Sequence, residues 1–160
     1  MHWLTDTERH AWHTYLEASR LAKRQLETDL RPFGLTMNDY EILAHLFGAE
    51  DMRLRMSDLA SATFQSRSRL SHQITRLENA NLVLRQKCES DRRGLYARLT
   101  EQGLNTVRKI APFYAASVRR HFIAFLSPES LTQLHKTLKT IRLGLVGGPL
   151  DLLRSAGSER

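Results

Sequence analysis

The chain has 160 residues and a formal net charge of +7, with 41% hydrophobic and 26% charged residues. This composition supports one domain, or two closely joined lobes, around an apolar core, and excludes disordered, collagen-like and disulfide-stapled classes. No apolar run approaches the roughly 20 residues of a transmembrane helix, the N-terminus is polar and acidic rather than a secretory signal, and the single cysteine, Cys88, has no internal partner, so a cytoplasmic chain without a membrane partner is expected.

Taken in order, Thr5 and Glu8 have the spacing of a helix-capping box, with Thr7 as a second cap candidate. Ala11, Tyr15, Ala18, Ala22, Leu26 and Leu30 then recur at helical spacing until Pro32 and Gly34 end the helix. Thr36 caps a second helix, with Asp39 in its first turn, and Gly48 stops it. Residues 49–55 read as a charged loop. A short helix follows with Ser57 as its cap and Leu59 and Ala60 facing inward, and Thr63, Phe64 and Gln65 form a turn. The next helix begins at Ser66 or a neighbour and runs to about Ala80, with Leu70, Ile74 and Leu77 as its buried stripe. Asn81 sits where the chain leaves that helix, a position that favours a left-handed residue. The periodicity then shortens to two over Leu82–Cys88 and Leu95–Leu99, two strands around the polar turn Glu89–Gly94. Thr100 caps a long helix in which Pro112 is an irregularity with the capacity to kink it. Ser127, Pro128 and Glu129 start a last helix, along which Leu131, Leu134, Leu138, Ile141 and Leu145 recur.

The resulting fold class is mainly α with a small β-hairpin (α+β): a winged helix-turn-helix flanked by long N- and C-terminal helices. Charge supports a nucleic-acid role for its centre. Residues 53–98 hold ten Lys/Arg against four Asp/Glu, which is +6 of the +7, and a clustered basic segment attracts polyanions. The outward face of the helix after the turn offers Ser66, Arg67, Ser68, Arg69, Ser71, His72, Thr75 and Arg76. Short side chains there let the backbone approach a major groove, while arginine donates two bonds to a guanine edge. Arg92 and Arg93 at the hairpin tip suit a minor groove, where the negative potential is concentrated. Asp91 beside them would repel phosphate, so it is read as structural, and Arg85 is assigned with it to the framework of the wing.

The motif Asn81-Leu82-Val83-Leu84-Arg85, followed after five residues by Asp91-Arg92-Arg93, resembles the Gly-Leu-Val-x-Arg and Asp-Arg-Arg pattern of the MarR family. Leu99-Thr100-x-x-Gly103, Gly34-Leu35-Thr36 and Asp58-Leu59-Ala60 also fit, and the likeness covers roughly residues 5–145. Asn81 departs from the usual Gly, though both suit a cap, and Thr75 stands where an acid or amide is frequent. The resemblance implies a homodimer joined through residues 1–34 and 100–148, a DNA-binding lobe at 35–99 and a flexible tail at 149–160. It further implies a repressor on a pseudo-palindromic double-stranded DNA operator, released when a small aromatic effector enters a cleft between the lobes. His10, Trp12, His13, Tyr15 and Tyr40 are the residues expected near that cleft.

Other readings rest on less. His10 and His13 are spaced to share a metal, but no acid or cysteine completes a site, so no metal or cofactor is assigned. A redox sensor would have to act through Cys88 in a wing strand. No phosphate loop, nucleophile elbow or His-Glu-x-x-His motif points to an enzyme. The remaining alternative is a winged-helix protein-interaction module that does not bind DNA.

Overall fold

A computed structural model describes residues 3–87 and 94–146. Helix α1 spans Asp6–Leu30 and opens on the expected capping box: the Glu8 amide donates to Thr5 Oγ1 (3.3 Å) and the Thr5 amide to Glu8 Oε2 (2.7 Å). A 3₁₀ turn at Arg31–Phe33 and Gly34 at φ 70° end it. Helix α2 spans Met37–Phe47 and carries a second reciprocal box between Thr36 and Asp39. Of the α1 stripe only Leu26 and Leu30 are buried, so most of that helix's apolar face is uncovered among the described residues.

Residues 49–55 do not form the expected loop. A 3₁₀ turn, Glu50–Met52, leads into strand β1, Arg53–Arg55. Strand β1 pairs antiparallel with β3, Leu95–Leu99, which pairs in turn with β2, Val83–Lys87, in the order β1-β3-β2. The two expected wing strands thus pair antiparallel as a hairpin requires, and β1 extends them into a three-stranded sheet. Three residues are too few to display a period, and Leu54 is the only apolar one among them. The same strand displaces the expected Ser57 cap. Helix α3, Met56–Ala62, starts directly from β1 with Arg55 at its N-cap position and no side-chain cap bond.

Helix α4 spans Arg67–Asn79 with Ser66 as its cap, and Leu70, Ile74 and Leu77 are buried as the stripe requires. They join Ile42, Leu43 and Leu46 of α2, Leu59 of α3, and Val83, Ala97 and Leu99 of the sheet in one core. Each fully buried Leu or Ile there is worth roughly 1.5–3 kcal/mol. That burial holds the seven-residue α3, which is far too short to be stable alone.

Helix α5, Glu101–His121, runs through Pro112 as one helix, and a 3₁₀ turn follows at Ile123–Phe125. Helix α6, Pro128–Val146, starts at the expected signal, with the Ser130 amide donating to Ser127 Oγ (3.2 Å), and buries none of its residues. The chain divides into two units, Met1–Val118 and Arg119–Arg160. None of the described helices is long and apolar enough to cross a membrane.

Candidate nucleic-acid interface

All eight residues assigned to the outward face of α4 are exposed, but they do not share one role. Ser66 Oγ accepts the Arg69 amide (3.2 Å) and so caps the helix. Arg76 donates through Nη2 to Asp39 Oδ1 and to Thr36 Oγ1 (3.3 Å). Asp39 is wholly buried, and its other oxygen takes the Thr36 amide (2.8 Å) and hydroxyl (2.7 Å). A buried carboxylate is tolerated only when its charge is paired and its oxygens are hydrogen-bonded, and Arg76 supplies both for Oδ1. One ion pair thus locks α4 to the N-terminus of α2. The Thr-x-x-Asp spacing announced the cap but not its partner 37 residues on.

A second clasp joins α4 to the wing. Arg85 of β2 bonds Glu78 through Nη1, and its amide donates to Glu78 Oε1 (2.9 Å). Its Nη2 donates to Ser71 O (2.8 Å), Ser71 Oγ (3.3 Å) and Thr75 Oγ1 (3.1 Å). Two of the four hydroxyls assigned to base reading, Ser71 and Thr75, are therefore engaged by the wing, and Glu78, the one acid of α4, is the anchor that makes this so. Between helix and strand, Asn81 takes φ 56°, as expected of its place.

Arg67, Ser68, Arg69 and His72 are left with exposed side chains for which no bond among the described residues is found. They lie on the first turns of α4, where the helix N-terminus also favours phosphate. Ser68, Arg69 and His72 line one side of a groove of about 670 Å³ whose other wall is Thr36, Asn38 and Glu27. On the outer sheet face, Arg53 and Arg55 sit over the Tyr96 ring at 5.1 and 5.6 Å, with Arg98 directly opposite Arg53, a basic group that the sequence reading had not singled out. Asp91, Arg92 and Arg93 lie outside the described residues, as does Cys88.

The residues expected at an effector cleft are not brought together. Trp12 and Tyr15 stack on each other (ring centroids 5.9 Å) and are half exposed, and His10 and His13 are exposed. Tyr40 instead is buried against Tyr114 of α5 (4.3 Å) and lines a cleft of about 360 Å³ with Met37, Glu41, Ala44, His45 and Tyr114. Burial raises both phenols above their ordinary pKa, helped by the Tyr114 charge at Tyr40 and by Glu41 at Tyr114. Among the described residues no cluster of three His, Cys, Asp or Glu is placed to hold a metal.

Comparison with known proteins agrees with this architecture. The MarR family profile matches residues 33–94. The crystal structure of AbsC, a MarR family transcriptional regulator from Streptomyces coelicolor, is 66% identical with a TM-score of 0.89, over 92% of this chain and all of that one. Sco3205 from the same organism, a MarR family regulator solved in complex with DNA, is 36% identical with a TM-score of 0.87, over 91% of each chain. The regulator MhqR of Bacillus subtilis is 24% identical over 126 residues, 79% of this chain and 85% of that one.

Proposed function

The chain belongs to the MarR family of DNA-binding transcription regulators and is not an enzyme, and from that premise we propose that it acts as a homodimeric repressor on a pseudo-palindromic operator. The observation that carries this reading is the mounting of α4: fixed on one side by Asp39–Arg76 and on the other by Glu78–Arg85, it leaves Arg67, Ser68, Arg69 and His72 to meet a major groove. The structure of Sco3205 with DNA supports duplex DNA as the ligand. In the same reading Arg92 and Arg93 reach the minor groove, and Ser66, Ser71, Thr75 and Arg76 hold the reading helix in place, with backbone phosphate within reach of their exposed sides.

A second copy accounts for the uncovered apolar side chains. Trp3, Leu4, Trp12, Tyr15 and Leu21 are exposed on or before α1, and Ile141, Leu143, Leu145 and Val146 on α6. So many exposed large apolar side chains on each of these helices favour association surfaces. Two linked reading helices about one DNA turn apart, roughly 34 Å, then bind far more tightly than one. Release by a small aromatic compound is assigned to the Tyr40–Tyr114 cleft, which offers two neutral phenols, Glu41 and His45 beside an apolar floor of Met37 and Ala44. Trp12 and Tyr15 belong to the association surface in this reading.

Selection of bound sequences from random duplex DNA tests the proposal, and it should return an inverted repeat. Arg67→Ala and Arg69→Ala should each weaken binding to it and, at one phosphate contact per protomer, each lower the slope of log affinity against log salt by about two for the dimer. Failure to retain any duplex would favour the protein-interaction reading instead.

A further inference from the structure

Among the described residues, left-handed positions fall at the ends of helices or in helical turns, and one of them, Phe64, carries a bulky side chain that is exposed. Gly34 (φ 70°) follows the turn after α1, and Asn81 (φ 56°) follows α4. Both are residues that reach this region at little cost. Phe64 (φ 52°) follows α3 in the same motif as Asn81. Its amide donates to Ser61 O (3.2 Å) and the next amide, of Gln65, reaches back to Ala60 O (2.9 Å); at Asn81 the matching bonds run from Asn81 to Glu78 O (2.8 Å) and from Leu82 to Leu77 O (2.9 Å). A bulky side chain with positive φ is strained, and glycine is the usual occupant.

Strain of this kind persists where something offsets it. Met52, also at positive φ (53°), packs against the core and recovers its cost by burial. Phe64 closes the two backbone bonds of the cap, but its side chain recovers little by burial: it is 75% exposed and is not part of the core. Its place is informative. It stands two residues before Ser66, the cap of α4, in the turn that delivers the free side chains Arg67, Ser68 and Arg69. In helix-turn-helix proteins the first residues of the second helix enter the groove while the preceding helix crosses the backbone, so the turn between them meets the lip of the groove.

We propose that Phe64 is a DNA contact, a ring held outward at the cost of backbone strain to pack on apolar carbon at the groove lip. That carbon is either deoxyribose or a thymine methyl group, both of which accept an aromatic side chain. The assignment rests on the DNA-binding reading above and adds to it an uncharged grip beside the arginines.

The test uses the full chain, as wild type, Phe64→Gly and Phe64→Leu, on a duplex carrying the selected sequence and on the same duplex with uracil for thymine. Phe64→Gly should melt roughly 2–6 °C higher, because glycine removes the left-handed strain. It should nevertheless bind about tenfold more weakly, with an unchanged salt slope, because an apolar contact releases no counterions. Phe64→Leu should keep the wild-type melting point and bind between the two. If uracil weakens the wild type but not Phe64→Gly, the contact is the methyl group; if uracil affects them alike, it is the sugar. Wild-type affinity in Phe64→Gly, a lower melting point, an altered salt slope or an altered oligomeric mass would each overturn the assignment. A wild-type chain that retains no duplex overturns the DNA reading as well.

Discussion

A methyl group at Gly103 would lie 2.0 Å from the carbonyl oxygen of Leu82 and 3.1 Å from Leu99 Cδ2. The same carbonyl accepts the Thr100 amide (3.1 Å), and Thr100 Oγ1 donates to Asn81 O (2.7 Å), so the first turn of α5 is seated on two of the three residues that link α4 to β2. Backbone cannot retreat as a side-chain tip can. Gly103→Ala should therefore destabilise the fold by about 3 kcal/mol, read as a lower urea midpoint with an unchanged slope. Gly144→Ala, where a new methyl meets nothing within 4 Å, should be neutral or stabilise by up to about 1 kcal/mol. The Leu-Thr-x-x-Gly motif made Gly103 conspicuous in the sequence, yet its reason was not legible there. The obstacle is a carbonyl 21 residues earlier, which no local pattern encodes. Asp39 is similar: its spacing from Thr36 gave the cap, while its ion pair with Arg76 depends on how α2 and α4 cross.

Among the elements, those with three or more turns of periodic apolar residues were legible, because burial of a stripe repeats along the sequence. That holds for α1, α2, α4, α5 and α6, and for the alternation in β2 and β3. What escaped was short. Strand β1 has three residues, and α3 takes its start from that strand rather than from a cap. The division of labour on α4 also escaped, because Arg85 approaches from another element and engages Ser71 and Thr75 there. Arg85→Met keeps the apolar stem but deletes every one of those bonds and leaves Glu78 without its cation. Both partners are about a quarter exposed, so water offsets part of the loss, and destabilisation of about 1–2 kcal/mol is expected. The operator affinity should fall by more than this suggests, about tenfold or beyond, because wing and helix no longer share one orientation. Urea unfolding alongside mobility-shift titration separates the two effects; an affinity that changes no more than stability does would refute the clasp as a positioning device.

For the whole molecule, the long terminal helices were legible as apolar stripes in search of a cover, and the described residues do not provide one. Helix α6 buries no residue, and Leu145 is 80% exposed. Charge on that face should therefore prevent association while sparing the DNA-binding unit. Ile141→Asp combined with Leu145→Asp should sediment as a monomer, retain the helical signal, and lose most of its operator affinity, since half-sites would be gripped one at a time. A double variant that remains a dimer would place the association surface elsewhere. The mounting of α4 has a different consequence. The groups that seat this helix are Asp39, Arg76, Glu78 and Arg85 together with its buried stripe, and none of them is among the side chains left free on its leading turns. On the DNA-binding reading proposed above, base preference is thereby uncoupled from foldability: mutational drift at positions 67, 68, 69 and 72 would retune a descendant protein to a new promoter while its scaffold stays intact.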